Sequence, residues 1–209
     1  MAIGIGLHCM YCDHGPCNGD CNRHDEPIKA PTKKEIREKK INQILSNYTE
    51  IEGDLIKLAL EGNFDVITHG CNCLSKMGAG IAPQMAQTFG CDKFPMELMG
   101  PNINKLGCID YKTINIESGE LIVVNSYTQY RYGKNHEDGD KKPLDYEALT
   151  LCMRKINKIF KGKRVSLPKI GSGLAGGDWN QIKQIIKTEL KDCEVTVVIY
   201  NPGISLYLS

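Results

Sequence analysis

Between Val66 and Gly90 the chain reads VITHGCNCLSKMGAGIAPQMAQTFG, a stretch that gathers three kinds of chemically useful residue. His69 titrates near neutral pH and is the natural candidate for moving a proton. Asn72 carries a carboxamide that can hydrogen-bond a ligand or satisfy its own loop backbone. Gly78, Ala79 and Gly80 are small enough to bare backbone N–H groups. The helical pattern that starts at Ile81 adds the positive end of a helix dipole, and together these suit an anion. The surrounding elements follow from pattern. Asp65-Val66-Ile67-Thr68 is a short run of the kind that forms a buried strand, and His69 to Cys73 reads as a turn-rich segment. Ile81, Met85, Ala86 and Phe89 share one helical face, with Gly90 as C-cap. Strand, glycine loop and helix in that order predict a phosphate cradle. A tight turn carrying glycine for backbone reasons alone is the competing reading.

A second stretch has the same order. Ile170-Gly171-Ser172-Gly173-Leu174-Ala175-Gly176-Gly177 follows the strand Arg164 to Pro168 and precedes the helix Trp179 to Leu190. Asp178, at the start of that helix, either caps it or orients water beside the loop. In an open parallel sheet both loops lie at the carboxyl ends of strands, where ligands bind. Two such loops suit a pyrophosphate better than either suits a single phosphate. Neither carries the Gly-Lys-Ser/Thr of a P-loop, nor G-x-G-x-x-G in its nucleotide-fold setting.

These loops need a scaffold, and from Tyr48 the pattern supplies one. Tyr48 to Glu52 reads as a strand ending at Gly53-Asp54, and Leu55 to Glu61 as a short helix stopped by Gly62. Asn104 to Tyr111 and Lys112 to Ile116 read as strand and edge pieces, and Glu120 to Tyr127 as a central strand. Tyr130 to Lys142 is polar and charged, the mark of a mobile loop. Asp145 to Phe160 is helical, and Glu194 to Tyr200 closes the chain as a buried strand. Alternating strands and helices predict an α/β fold whose mostly parallel sheet is covered on both faces.

Composition excludes several classes. The 209 residues suffice for one substantial domain with an appendage. A hydrophobic share of 41% and a charged share of 24% are ordinary for a soluble globular chain. A net charge of +1 gives no electrostatic case for nucleic acid or a membrane surface. No apolar run approaches the roughly 20 residues needed to span a bilayer. The opening MAIGIGLHCMYC lacks the basic and long apolar regions of a signal peptide.

Composition changes near residue 30. Residues 1–30 form a Cys/His-rich extension in which Cys9 and Cys12 are spaced C-x-x-C, and Cys17 and Cys21 are spaced C-x3-C. Both spacings can chelate one tetrahedral Zn²⁺ through thiolates, although the four residues between the pairs are fewer than in most zinc ribbons. A disordered tail, or a disulfide cluster in an oxidising compartment, are the alternatives; a structural zinc is favoured. With ten cysteines, six of them scattered through the α/β region, a reducing cytoplasm is the expected compartment. Residues 31–48 are a linker and an amphipathic helix over Lys33 to Asn47, and residues 49–209 form the main domain.

The separated motifs carry a family resemblance. Gly53-Asp54-Leu55, the stretch from Val66 to Ile81, Leu167 to Leu174 and Val198-Ile199-Tyr200 occur in the order and spacing of a macrodomain, over roughly Tyr48 to Ser209. His69-Gly70-Cys71-Asn72-Cys73 followed by Met77-Gly78-Ala79-Gly80-Ile81 resembles the branch of ADP-ribose-1″-phosphate phosphatases and terminal ADP-ribose glycohydrolases. The resemblance implies a three-layer α/β/α fold with a mixed, mostly parallel sheet, and ADP-ribose or its 1″-phosphate as a small-molecule ligand. By position, Asp54 resembles the acceptor for the adenine amino group, with Leu55 beside it; its competing role is a helix cap. Gly78, Ala79, Gly80 and Ile81 match the first phosphate loop, and Ser172, Gly173, Leu174, Ala175 and Gly176 match the second. Tyr200 and Asn201 sit where the family flanks the adenine or its ribose, with plain core as the alternative for Tyr200.

The resemblance also ranks activities. Glycohydrolases of this branch use a lysine near the end of the strand that here reads Val124-Asn125-Ser126-Tyr127-Thr128, and an aspartate where this chain has Ala175. Neither is present. Hydrolysis of ADP-ribose-1″-phosphate to ADP-ribose and phosphate is therefore the expected reaction, with His69, Asn72 and Asp178 as catalytic candidates and no cofactor required. The alternatives are a binding module without turnover, a hydrolase of ADP-ribosyl or acetyl esters, and an adaptor in which the Cys-rich head is the working part.

Overall fold

Six runs, most of them rich in β-branched residues, pair into a single sheet because most offer apolar side chains to both of its faces. The computed structural model describes Thr32 and residues 47–133 and 143–201. The expected zinc ligands Cys9, Cys12, Cys17 and Cys21 lie outside the described residues, as do residues 134–142 and all but the last residue of the helix expected over 33–47.

In chain order the elements are β1 (Tyr48–Glu52), α1 (Leu55–Leu60), β2 (Val66–Asn72), α2 (Ala82–Phe89), α3 (Pro95–Leu98), β3 (Ile109–Ile116), β4 (Gly119–Gln129), α4 (Tyr146–Ile159), β5 (Arg164–Pro168), α5 (Trp179–Glu189) and β6 (Glu194–Ile199). The strands lie in the order β1-β6-β5-β2-β4-β3. Every pairing is parallel except β3 with β4, which is antiparallel. This is the mixed, mostly parallel sheet expected.

Side-chain alternation sends neighbouring strand residues into different cores. Val66, Val124, Val165, Leu167, Val195 and Val197 pack on one face against Leu149, Cys152, Met153 and Ile156 of α4 and Ile182 and Ile186 of α5. Ile67, Leu121, Val123 and Val198 pack on the other face against Leu55 and Ala59 of α1 and Met85 and Phe89 of α2. The result is three layers, α/β/α. Three helices that follow strands begin on aspartate caps: Asp54 accepts from the N–H groups of Ile56 and Lys57, Asp145 from that of Ala148, and Asp178 from that of Gln181. Gly90, with φ of 63°, ends α2 as expected.

Three elements differ from the sequence expectation. β2 does not stop at Thr68 but runs on to Asn72, with His69 opposite Asn125 and Gly70 opposite Ser126 of β4. Residues His69 to Cys73 read as a turn because they are polar or small, yet tertiary pairing with β4 satisfies them inside the sheet. Residues 103–105 form a 3₁₀ turn, and the strand expected from Asn104 begins only at Ile109. The short α3, opened by Pro95, has no counterpart in the pattern. Among the described residues no helix is long and apolar enough to cross a membrane.

Leu167 sits in the middle of this arrangement, fully buried between β6 and the α4–α5 layer. Leu167→Ala is expected to lower unfolding free energy by about 2–5 kcal/mol, read from urea denaturation. A loss under about 1 kcal/mol would show that the layer packs around that position more loosely than described.

Candidate functional site

Both glycine loops open on one cleft of about 1130 Å³ at the carboxyl ends of β2, β4, β5 and β6. Lys76 to Ala82 form one wall, Pro168 to Ala175 the opposite one, and Val198 to Tyr200 close one end. Gly70, Asn72, Thr128 and Gln129 supply the floor and far end. The lining contains no carboxylate and no imidazole among the described residues. Its cations are Lys76 and Lys169, the latter with Nζ 5.2 Å from the Trp179 ring centroid.

The first loop is held from below. Asn72 Oδ1 accepts from the N–H groups of Leu74 and Lys76, both at 3.2 Å, while its Nδ2 donates to Lys76 O at 2.6 Å. Ser75 adopts a left-handed conformation, φ 56°, which costs a non-glycine residue on the order of 1 kcal/mol or more. Two buried groups hold it there: Ser75 Oγ donates to Glu97 O at 3.0 Å and accepts from Lys105 Nζ at 2.5 Å. The Lys105 side chain is almost wholly buried and its Nζ lies 5.2 Å from the Tyr127 ring centroid. Burial pushes the nearby Glu97 and Asp110 carboxyls above their ordinary range. After this anchoring, the backbone N–H groups of Gly78, Ala79, Gly80 and Ile81 donate no hydrogen bond to the described residues.

The second loop folds on itself. Gly177 N–H donates to Gly171 O and Gly176 N–H to Gly173 O, both at 2.9 Å, and Ser172 Oγ donates to Lys169 O. Glycine is required at 177, where a Cβ would lie 2.3 Å from Leu144 Cδ2 and 2.9 Å from Gly171 O. The N–H groups of Gly173, Leu174 and Ala175 are left without partners among the described residues. The residues that carry these two sets of donors line the same cleft.

Of the residues expected at the site, Asn72, Gly78, Ala79, Gly80, Ile81, Ser172, Gly173, Leu174, Ala175 and Tyr200 line the cleft. His69 does not. It points from the other face of β2 into the layer beneath α2, with no exposed surface. There Nε2 meets Asn125 Oδ1 at 2.9 Å and Cys91 Sγ at 3.6 Å. Burial pulls its pKa down to about 4, the Asn125 bond opposing this only in part, so the ring is neutral and has no route to a ligand. The same burial pushes the Cys91 thiol up to about 12. Asp54 spends Oδ1 on its cap and faces a separate, more open depression with Gln84 and Thr88, while Leu55 is core. Asp178 is an exposed cap outside the cleft, its N–H donating to Tyr146 Oη at 2.7 Å. Gly176, with φ of 68°, and Asn201, whose Nδ2 donates to Glu52 Oε2, are not part of the lining.

Several cleft residues were not anticipated: Gly70, Ser75, Lys76, Thr128, Gln129, Tyr132 and Lys169. Thr128 and Gln129 end the long apolar strand β4, and a strand ending at the same edge as two glycine loops was the available signal. Among the described residues no group of three or more His, Cys, Asp or Glu side chains is placed to hold a metal.

No protein-family model matches the chain. A 17.5 kDa protein of enterobacteria phage T4, uncharacterised and encoded in the tk-vs intergenic region, is 31% identical over 160 residues, which cover 73% of this chain and 96% of that protein. The ADP-ribose 1″-phosphate phosphatase of Saccharomyces cerevisiae is 24% identical over 186 residues, covering 73% of this chain and 98% of the enzyme. Among solved structures, the macrodomain of Mycobacterium tuberculosis DarG superposes with a TM-score of 0.54 at 23% identity, over 74% of this chain and 97% of that one.

The buried imidazole yields a pH prediction. The unfolded chain takes up a proton on His69 near pH 6.5, and the native chain only near 4. The stability contributed by the neutral ring is therefore present above pH 6.5 and lost as pH falls through this window, by about 3 kcal/mol. Glu97 and Asp110, protonated more readily when folded, act with the opposite sign. The informative quantity is the difference between wild type and His69→Gln, which is expected to show the shallower decline between pH 6.5 and 4. Parallel stability curves would contradict the described burial.

Proposed function

Because the chain belongs to the macrodomain family, we propose that its cleft binds ADP-ribose and that the protein hydrolyses ADP-ribose-1″-phosphate to ADP-ribose and phosphate. One observation carries this reading: two rows of backbone N–H groups without partners among the described residues, on Gly78 to Ile81 and on Gly173 to Ala175, belong to loops that line a single cleft. A pyrophosphate presents acceptor oxygens on both sides and so can take up both rows. The similarity to a yeast enzyme of that name supports the reaction.

The chemistry asks for charge stabilisation more than for a side-chain base. Water oxygen attacks phosphorus, the bond from phosphorus to the 1″ oxygen breaks, and ADP-ribose departs carrying the proton on that oxygen. Such transfers pass through a loose transition state whose charge is spread over the phosphoryl oxygens. Fixed N–H dipoles and the Lys76 ammonium at the cleft wall answer that charge. Asn72 is a positioning residue, since both ends of its amide are engaged in holding the backbone from Leu74 to Lys76. His69 has no part in the reaction.

A second reading, capture of ADP-ribose without turnover, is favoured by the lack of a carboxylate or imidazole in the described lining. Phosphate release from ADP-ribose-1″-phosphate separates the two. Wild type and His69→Gln are both expected to release phosphate, and Asn72→Ala to release at least about tenfold less. Micromolar binding of ADP-ribose without any phosphate release would leave the capture reading standing.

Binding itself is tested at Gly173, where an added Cβ meets open space. Gly173→Glu is expected to keep the wild-type thermal midpoint while weakening ADP-ribose by about 100-fold, because its carboxylate enters the anion's place. Calorimetry with an unchanged dissociation constant would refute the two-loop site.

A further inference from the structure

We propose that Lys105 is a positioning residue for ligand binding, whose buried side chain sets the first glycine loop by holding Ser75 in its left-handed conformation. The inference rests on the ADP-ribose reading above and goes beyond it by tying affinity to a residue outside the cleft's lining.

The observation is a buried lysine directed at one loop hydroxyl. Lys105 is 1% exposed, and its one hydrogen bond among the described residues runs from Nζ to Ser75 Oγ. Withdrawing an ammonium from water is unfavourable, so a lysine in that state calls for compensation and for a reason. Compensation is at hand. The Tyr127 ring centroid lies 5.2 Å from Nζ, and the lysine's charge opposes the burial that raises the Glu97 and Asp110 carboxyls. The backbone that carries Lys105 is fixed as well. Asn102 N–H donates to Cys73 O at 3.0 Å, Asn102 Oδ1 accepts from Asn104 N–H at 2.9 Å, and Gly107 N–H donates to Tyr127 O at 2.9 Å. The side chain is thus a strut between β4 and the start of the first loop.

Ser75 is the point where such a strut can act. Among the described residues it alone, apart from glycines, has a positive φ. Asn72 holds the backbone on either side of it, at Leu74 and Lys76, whereas the Ser75 hydroxyl is held by Lys105 Nζ and Glu97 O. Without those contacts a side chain at 75 favours negative φ by roughly tenfold. Gly78 stands only three residues further on. Turning the chain at 75 therefore displaces the N–H groups of Gly78 to Ile81 relative to the opposite loop. Glycine at 75 would adopt the observed φ with no lysine behind it.

That alternative supplies the test, which is calorimetry on the full chain with ADP-ribose. Lys105→Met keeps most of the stem and removes the ammonium, and is expected to bind about tenfold more weakly than wild type. Adding Ser75→Gly to Lys105→Met should bring affinity back to within about threefold of wild type, and adding Ser75→Ala should not. Glycine ordinarily loosens a loop, so recovery with glycine and not with alanine isolates the left-handed conformation. A merely structural lysine would lower the thermal midpoint, and glycine at 75 would restore no affinity. A second readout needs no ligand. Amide exchange at Leu74 and Lys76, whose N–H groups Asn72 holds, should be about tenfold faster in Lys105→Met, with Gly176 and Gly177 of the second loop unchanged.

Should Lys105→Met not fold, Ser75→Gly and Ser75→Ala are compared with Lys105 in place. Both leave the ammonium without its acceptor, so they differ only in backbone preference, and glycine should bind about fivefold tighter than alanine. Wild-type affinity in Lys105→Met, no recovery with glycine, or equal affinity for the two Ser75 variants overturns the positioning role and leaves the ADP-ribose reading standing. Wild type that binds no ADP-ribose overturns that reading and the role in affinity with it. Exchange at Leu74 and Lys76 then decides by itself whether Lys105 sets the loop.

Discussion

Leu55, Met85 and Phe89 press on one face of the sheet while Met153, Ile156 and Ile186 press on the other. With helices on both sides, the sheet has no flat surface for a ligand, and only the edge where strands end and turn into helices remains accessible. Strand ends are also where backbone N–H groups lose their ladder partners. The same burial that stabilises the fold therefore concentrates unsatisfied donors along one rim. The two glycine loops keep those donors bare instead of covering them with side chains.

Bare donors help an anion only if they hold still. The first loop is fixed by the Asn72 amide and by the buried contact of Lys105 with Ser75; the second by its own turns and by Leu144, whose N–H donates to Ala175 O at 3.2 Å. Ser75 retains a left-handed conformation that glycine would adopt more readily, and its hydroxyl contacts offset that cost. The polar groups behind the loop thus shape the cleft through geometry: Glu97 and Lys105 lie outside its lining, while Asn72 and Ser75 reach it.

Much of this was legible in the sequence. The two glycine loops, the helices after them and the alternation that buries both faces all depend on short-range patterns, and they stand where pattern placed them. What pattern could not show was orientation. His69 looked like a site residue because it titrates near neutral pH and stands beside a glycine loop; four more residues of strand pairing turned it inward against Asn125. Asp54 and Asp178 each had two plausible uses, and the hydrogen bonds to the following helix took the carboxylate in both cases. Thr128 and Lys105 were invisible for another reason. Lys105 reaches Ser75 across 30 residues of chain, Thr128 comes to stand beside Gly70 of the neighbouring strand, and no local motif records such a meeting.

The pairing of β1 with β6 has a consequence in time. Tyr48 lies opposite Val195 and Glu52 opposite Ile199, while Asn47 Nδ2 reaches the carbonyls of Leu190 and Cys193. The first strand of the domain is thus completed by the last. During synthesis β1 emerges early and waits, its edge unpaired, until nearly the whole domain has followed it. Pairings of such sequence separation carry a large loop-closure entropy and place a fold among the slower folders. The Tyr200 end of the cleft is built directly after β6, so the complete cleft is among the last features the nascent chain acquires.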